Sequence, residues 1–130
     1  MRYLVATDAT ETSELLADYL ADRVDADDEI HAVNSQVGGD ETTSDEIREG
    51  EAALETLEEA LPKSVLVETH QFVRGNQPEE DVLTHAEEIG ADELVFTVRD
   101  RSPAGKAIFG STAQRLLLGS DRPMRVIPRE

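Results

Sequence analysis

Short apolar runs alternate along this chain with stretches whose apolar residues recur at helical spacing, and no other feature restricts the fold as much. Tyr3-Leu4-Val5-Ala6 is a run ending at Thr7-Asp8, after which Leu15, Leu16, Tyr19, Leu20 and Val24 mark one helix face. Asp25-Ala26-Asp27-Asp28 makes a turn, and Glu29 to Ser35, centred on Ile30, Ala32 and Val33, reads as a second strand. Val37 to Thr42 is a polar loop with two glycines. Thr43 with Glu46 forms a capping box, Ile47, Leu54, Leu57 and Leu61 line the helix it opens, and Pro62 ends that helix. Val65 to Phe72 is a third strand. The segment Gly75-Asn76-Gln77-Pro78-Glu79-Glu80 then opens a helix with proline and acids where its dipole favours them. Val82, Leu83, Ala86 and Ile89 form its buried stripe, and Gly90 stops it. Leu94-Val95-Phe96 is a fourth strand. Ser111 with Gln114 is a second capping box for a helix from Ser111 to Leu118, with Gly119 beyond its end, and Met124 to Pro128 is a fifth strand.

Five strands alternating with four helices predict an open, doubly wound α/β fold with a parallel sheet covered on both faces. At 130 residues the chain is expected to be a single domain, 1–130, able to bury roughly 68% of its unfolded surface. Ligands of such folds sit beyond the carboxyl ends of the strands, where the winding reverses. That places Thr7 and Asp8, Val33 to Ser35, and the segment after Phe96 at one end of the sheet.

Charge sharpens the reading of that last segment. With 29 Asp plus Glu against 12 Lys plus Arg, the formal net charge is -17, yet Arg99, Arg101 and Lys106 fall close together just ahead of Gly110-Ser111. Free N–H groups at a helix start, beside guanidinium and ammonium groups, make a phosphate site. Equally, Gly110 makes a tight turn, Ser111 caps its helix, and the cations satisfy carboxylates of an acidic protein. Asp8 either accepts hydrogen bonds from a ribose or base amine, or makes a turn and caps the following helix.

Other chemistries find less support. Gly105-Lys106 does not complete a P-loop, because Asp100 stands where the first glycine belongs and Ala107 where the hydroxyl belongs. No cysteine is present, which excludes disulfides and thiolate chemistry. His31, His70 and His85 lie on different elements without carboxylate or thiolate partners at ligand spacing, so they are expected as surface or strand-packing residues and no metal site is expected. Glu46, Glu49, Glu51, Glu55, Glu58 and Glu59 form a solvated helix face. Ser13 and Ser111 lack a sequence-visible base, so nucleophilic catalysis has no support. The acidic balance argues against nucleic acid and anionic membranes as partners. It reads as the skin of a halophilic protein, because molar salt shrinks the Debye length to about 3 Å and relieves the self-repulsion. An aspartate interrupts the N-terminus before a signal-peptide apolar region is complete, and no apolar run approaches a membrane span, so the expected location is the cytoplasm.

The order of parts also resembles a known family. Leu4-Val5-Ala6-Thr7-Asp8, the extended third strand, Gly75 to Glu79, Gly90-Ala91-Asp92-Glu93-Leu94-Val95, and Gly110-Ser111 followed by Arg122-Pro123-Met124-Arg125-Val126 together look like the universal stress protein (UspA-like) family, over essentially the whole chain. The resemblance implies an adenine-nucleotide α-hydrolase-like sheet of strand order 3-2-1-4-5. It also implies a homodimer formed through the last strand, Met124 to Pro128. Many members of that family bind ATP through glycine, two residues, glycine, nine residues, glycine, then serine or threonine. In that frame Thr97 and Asp100 of this chain stand in place of the motif's first two glycines.

What the resemblance carries over is Asp8 for ribose or adenine, Val33 beside the base, Arg99 in the loop, and Gly110, Ser111 and Thr112 around phosphates. With the neighbouring Ala6, Thr7, Thr97, Arg101 and Lys106, these form the candidate site for ATP or AMP, with magnesium as a companion of the triphosphate. The departure at Asp100 puts a carboxylate where backbone should approach phosphate. The expected function is nucleotide binding in a stress response, without catalytic residues and with at most slow, incidental ATP hydrolysis. The alternatives are a dimeric regulatory or scaffold module that has lost ATP binding, and an enzyme acting on a phosphorylated metabolite.

Overall fold

The computed structural model describes residues 1–101, 107, 108 and 111–129, and the side chains of 1–98 and 112–129. Its elements are β1 Arg2–Ala6, α1 Thr10–Ala21, β2 Glu29–Gln36, a 3-10 turn Gly39–Glu41, α2 Ser44–Ala60, β3 Leu66–Val73, α3 Pro78–Ile89, β4 Glu93–Arg101, β5 Ala107–Ile108, α4 Ser111–Gly119 and β6 Met124–Pro128. Five parallel strands pair in the order β3-β2-β1-β4-β6. That is the expected 3-2-1-4-5 order, with the two-residue β5 intervening in the count. β5 pairs antiparallel with the end of β4, Ile108 against Arg99 and Ala107 against Arg101.

Two boundaries differ from the sequence reading, each for a physical reason. β4 continues past Phe96, because Thr97 and Val98 are β-branched and pair with Ile127 and Pro128 of β6. An apolar-run criterion stops at Thr97, so the segment expected as a basic loop begins as strand. α1 ends at Ala21, short of Val24, whose N–H still bonds the Leu20 carbonyl at 3.0 Å and whose side chain packs against the core.

The helix signals hold at α2 and α3, whereas Gly119, expected beyond the end of the last helix, is the final residue of α4 and does not take the left-handed conformation. The Thr43 hydroxyl accepts from the Glu46 N–H at 3.1 Å and the Glu46 carboxylate accepts from the Thr43 N–H at 3.2 Å. Leu61, held extended ahead of Pro62, ends α2. Pro78 opens α3 beside the Gln77 N–H bonded to Glu80, and Gly90 closes it in the left-handed conformation. The Ser111 side chain lies outside those described, and so does its cap.

Alternation of side chains along the strands divides the core in two. On one face Tyr3, Val5, Ile30, Ala32 and Val95 pack against Leu16 and Leu20 of α1 and Leu54 and Leu57 of α2. On the other, Leu4, Val33, Leu94 and Phe96 pack against Val82 and Ala86 of α3 and Ala113 and Leu116 of α4. No described helix is long and apolar enough to cross a membrane. The acidic residues Glu46, Glu49, Glu51, Glu55, Glu58 and Glu59 are all exposed on α2, as expected.

A polar layer beneath α2 fixes the loop after β1. Buried Asn34 donates to the Thr7 carbonyl at 3.0 Å and accepts from Gln36 and Gln71 at 3.0 and 3.1 Å. Gln36 and Gln71 in turn donate to the carbonyls of Glu46 and Ile47. Ser13 is fully buried and donates to the Ala53 carbonyl at 2.6 Å, a structural role that ties α1 to α2. α2 comes this close because Gly50 has no side chain: a Cβ there would lie 2.1 Å from Asn34 Oδ1 and 2.7 Å from Gln36 Nε2.

Candidate functional site

In a parallel sheet every strand delivers its carboxyl end to the same edge, and here the winding reverses between β1 and β4. A cavity of about 280 Å³ opens at that reversal. Its apolar walls are Val33, Val82, Phe96, Val98, Ala113 and Leu116, and its polar groups come from Thr7, Asp8, Thr12, Ser35, Thr97, Thr112 and Arg129. Ala6 and Pro78 complete the described lining. The start of α4 faces it through Thr112 and Ala113, so N–H groups of a helix N-terminus stand at the rim.

Of the residues singled out from sequence, Ala6, Thr7, Asp8, Val33, Thr97 and Thr112 all line this one cavity. Lys106 and Gly110 lie outside the described residues, and the side chains of Arg99, Arg101 and Ser111 lie outside those described. The two readings of Asp8 can be separated. The residue at the N-cap of α1 is Ala9, without a side-chain cap, so Asp8 does not cap that helix and instead stands exposed at the cavity wall.

Sequence reasoning missed Thr12 and Arg129, while Ser35 was placed at this end of the sheet with Val33 and does line the cavity. The signal for Arg129 was available, because it follows the last strand and that strand ends at the same edge as β1 and β4. Its Nη1 donates to the Thr12 hydroxyl at 3.2 Å, while its Nε is buried with no hydrogen-bond partner among the described residues. Other arginines behave differently: Arg2, Arg48, Arg74, Arg115, Arg122 and Arg125 each sit against a carboxylate. A guanidinium at the cavity wall, its Nη groups carrying donors beyond the one given to Thr12, is suited to an anion.

Ser35 and α3 are joined by Asp81, which is fully buried. Its carboxylate accepts from Ser35 Oγ at 2.6 Å, Arg74 Nε at 2.9 Å and Asn76 Nδ2 at 3.0 Å. Burial pushes this carboxyl up, but the Ser35, Asn76 and Arg74 donors outweigh it and hold it below the ordinary aspartate range. The ionised Asp81 thereby pins the first turns of α3, which carry Pro78 and Val82 of the cavity, to the ends of β2 and β3.

The histidines depart from the expectation built on spacing. His31, His70 and His85 come together between β2, β3 and α3, with one nitrogen of each ring within 4.8 Å of the others. Carboxylates also stand beside them: Glu29 is 3.3 Å from His31 Nε2 and Glu88 is 3.6 Å from His85 Nδ1. Spacing along one element could not reveal this, because parallel pairing and the return of α3 bring the rings together.

Comparison with known proteins agrees with this architecture. A family model described as the universal stress protein family matches residues 1–128. A universal stress protein of Mycolicibacterium smegmatis is 42% identical over 48 residues, an alignment covering 37% of this chain and 37% of that protein. The solved universal stress protein of Archaeoglobus fulgidus superposes with a TM-score of 0.80 at 29% identity, covering 98% of both chains. The universal stress protein from Archaeoglobus fulgidus solved in complex with dAMP is similar in fold, with a TM-score of 0.73 at 24% identity over 98% of this chain and 97% of that one.

Proposed function

The chain belongs to the universal stress protein family, and from that premise we propose that it binds an adenine nucleotide, AMP in preference to ATP, at the carboxyl ends of β1 and β4. The observation that carries this reading is the union, in one cavity of about 280 Å³, of an apolar slot with Asp8, Thr112 and Arg129. In this reading an adenine ring lies against Val33 and Phe96, Asp8 accepts from ribose hydroxyls, and the α4 N-terminus and Arg129 take the phosphate. Thr97 favours the monophosphate, because it brings a side chain to the wall where the family pattern has glycine. The dAMP complex of a protein similar in fold supports the ligand class. The proposed role is binding, not turnover, and magnesium would matter only for a triphosphate.

Equilibrium dialysis at molar salt tests this. One AMP per chain is expected, with ATP weaker, and Asp8→Ala should lose about tenfold in affinity, roughly the 1.4 kcal/mol of one hydrogen bond to a charged group. Binding of neither nucleotide would leave a family member that works as a regulatory or scaffold module without ligand.

We further propose that the working form is a cytoplasmic homodimer adapted to high salt. β6 pairs only with β4 among the described residues, so its other edge can accept the same strand of a second copy. At a formal charge of -17 per chain, two copies repel strongly until salt screens them. X-ray scattering across a salt series should show a compact dimer at molar salt, and dissociation or expansion at about 0.1 M, where the Debye length is near 10 Å. A compact monomer at every salt concentration would contradict both parts.

A further inference from the structure

We propose that His31, His70 and His85 form a three-imidazole site for a divalent late first-row transition metal ion, of which zinc is the representative. The argument begins with where the strands put the rings. His31 on β2 pairs in register with Glu68 on β3, and Val33 with His70, so His31 and His70 stand on the sheet face that α3 covers with His85. The result is a packed group, with His70 and His85 ring centroids 4.4 Å apart and His31 about 6.3 to 6.4 Å from both.

Packing alone leaves part of the arrangement unexplained. Each ring keeps one buried nitrogen without a hydrogen-bond partner among the described residues: His31 Nδ1, His70 Nε2 and His85 Nε2. His31 is 5% exposed and His85 8%, so water does not freely satisfy those nitrogens. Three clustered imidazoles that each leave a buried nitrogen unpaired among the described residues are a costly arrangement for a core and a suitable one for a borderline-soft cation.

The remaining ring nitrogens add a second observation. His31 Nε2 faces Glu29 Oε1 at 3.3 Å and His85 Nδ1 faces Glu88 Oε2 at 3.6 Å, the carboxylate-behind-imidazole arrangement that orients a ring and raises its basicity toward a metal. Glu68 Oε2 lies 3.1 Å from His31 Nδ1 without hydrogen-bond geometry, at the exposed side of the group, and is not one of the clustered ligand atoms, so the fourth position falls to water or to Glu68 after its side chain turns. Four ligands at about 2.0 to 2.1 Å in a tetrahedron stand about 3.3 Å apart, so nitrogens already within 4.8 Å need converge by at most about 1.5 Å. Imidazole and carboxylate donors suit zinc, cobalt, nickel or copper and disfavour magnesium and calcium. An ion here would clamp α3 to β2 and β3, one to two turns from Val82 and Pro78 of the nucleotide cavity.

Zinc titrated calorimetrically into the full chain, stripped with chelator and held in excess magnesium to occupy surface carboxylates, tests the site. One saturable zinc per chain is expected, with imidazole nitrogen resonances of all three histidines shifting together at one equivalent in the unsubstituted protein. His70→Gln, at the half-buried sheet edge, should weaken zinc at least 100-fold, and Glu29→Gln by 10- to 100-fold. A melting temperature raised by zinc in the parent chain and not in His70→Gln is expected as well. Absence of a saturable site overturns the proposal, as do imidazole resonances unmoved at one equivalent, or zinc affinity unchanged in folded His70→Gln. The cluster would then be imidazole packing alone. Because the resonance measurement uses the parent chain, the proposal stays testable even if a variant fails to fold.

Discussion

Replacing Gly50 by alanine is expected to destabilise the fold by about 2 to 4 kcal/mol, lowering the melting temperature by roughly 10 °C. The direction is opposite to what helix propensity gives, since glycine to alanine inside an exposed helix normally gains about 1 kcal/mol. Geometry decides between the two. The new methyl would occupy space 2.1 Å from Asn34 Oδ1, far inside contact distance, and Asn34 has nowhere cheap to go. That amide is buried, donates to the Thr7 carbonyl, and accepts from Gln36 and Gln71. Either α2 moves off the sheet, opening the Leu54 and Leu57 contacts, or the amide network breaks and leaves polar groups unpaired. The effect reaches the cavity, because the Thr7 carbonyl held by Asn34 adjoins Asp8. Thermal unfolding of Gly50→Ala at molar salt checks the claim, and an unchanged or raised melting temperature would show that α2 does not lie this close to β2.

Replacing Arg129 by alanine is expected to cost 30- to 150-fold in AMP affinity, about 2 to 3 kcal/mol, with little change in stability. Its guanidinium lines the cavity and spends Nη1 on Thr12, while its buried Nε has no partner among the described residues, so a phosphate there would receive charge-assisted bonds from the remaining Nη donors. High salt makes this contact more informative. With a Debye length of about 3 Å at 1 M, attraction from distant cations vanishes and only groups in direct contact contribute. Arg129→Lys should therefore recover only part of the loss, since ammonium keeps the charge and forfeits the planar fork. Adenosine, which lacks the phosphate, should bind the parent and Arg129→Ala equally.

The alternation of apolar runs and helical stripes carried the fold because each signal is local. A strand buried on both faces is a run of apolar residues, and the capping box at Thr43 or the left-handed cap at Gly90 is written within a few positions. Part of the cavity lining was equally legible, since Thr7 and Asp8 follow β1 and Val33 lies late in β2, strands whose carboxyl ends must share an edge. Arg129 was within reach of the same argument, since it follows the last parallel strand, but attention to the basic segment ahead of Gly110 passed over it. Thr12 looks like an ordinary helix residue until the cavity forms beside α1. The histidine cluster was invisible because 31, 70 and 85 are separated by whole elements. Gly50 carried no warning either, since its role depends on what passes beneath α2.

The central claim, an adenine monophosphate site at the reversal of the sheet, is tested most directly by mapping backbone amide shifts of the parent chain during an AMP titration at molar salt. The account predicts one saturable event centred on Thr7, Asp8, Val33 and Thr112, with the Arg129 side-chain resonance moving in step and failing to move with adenosine. Amides that stay unmoved through millimolar AMP, or that shift only at sites remote from the ends of β1 and β4, would contradict it.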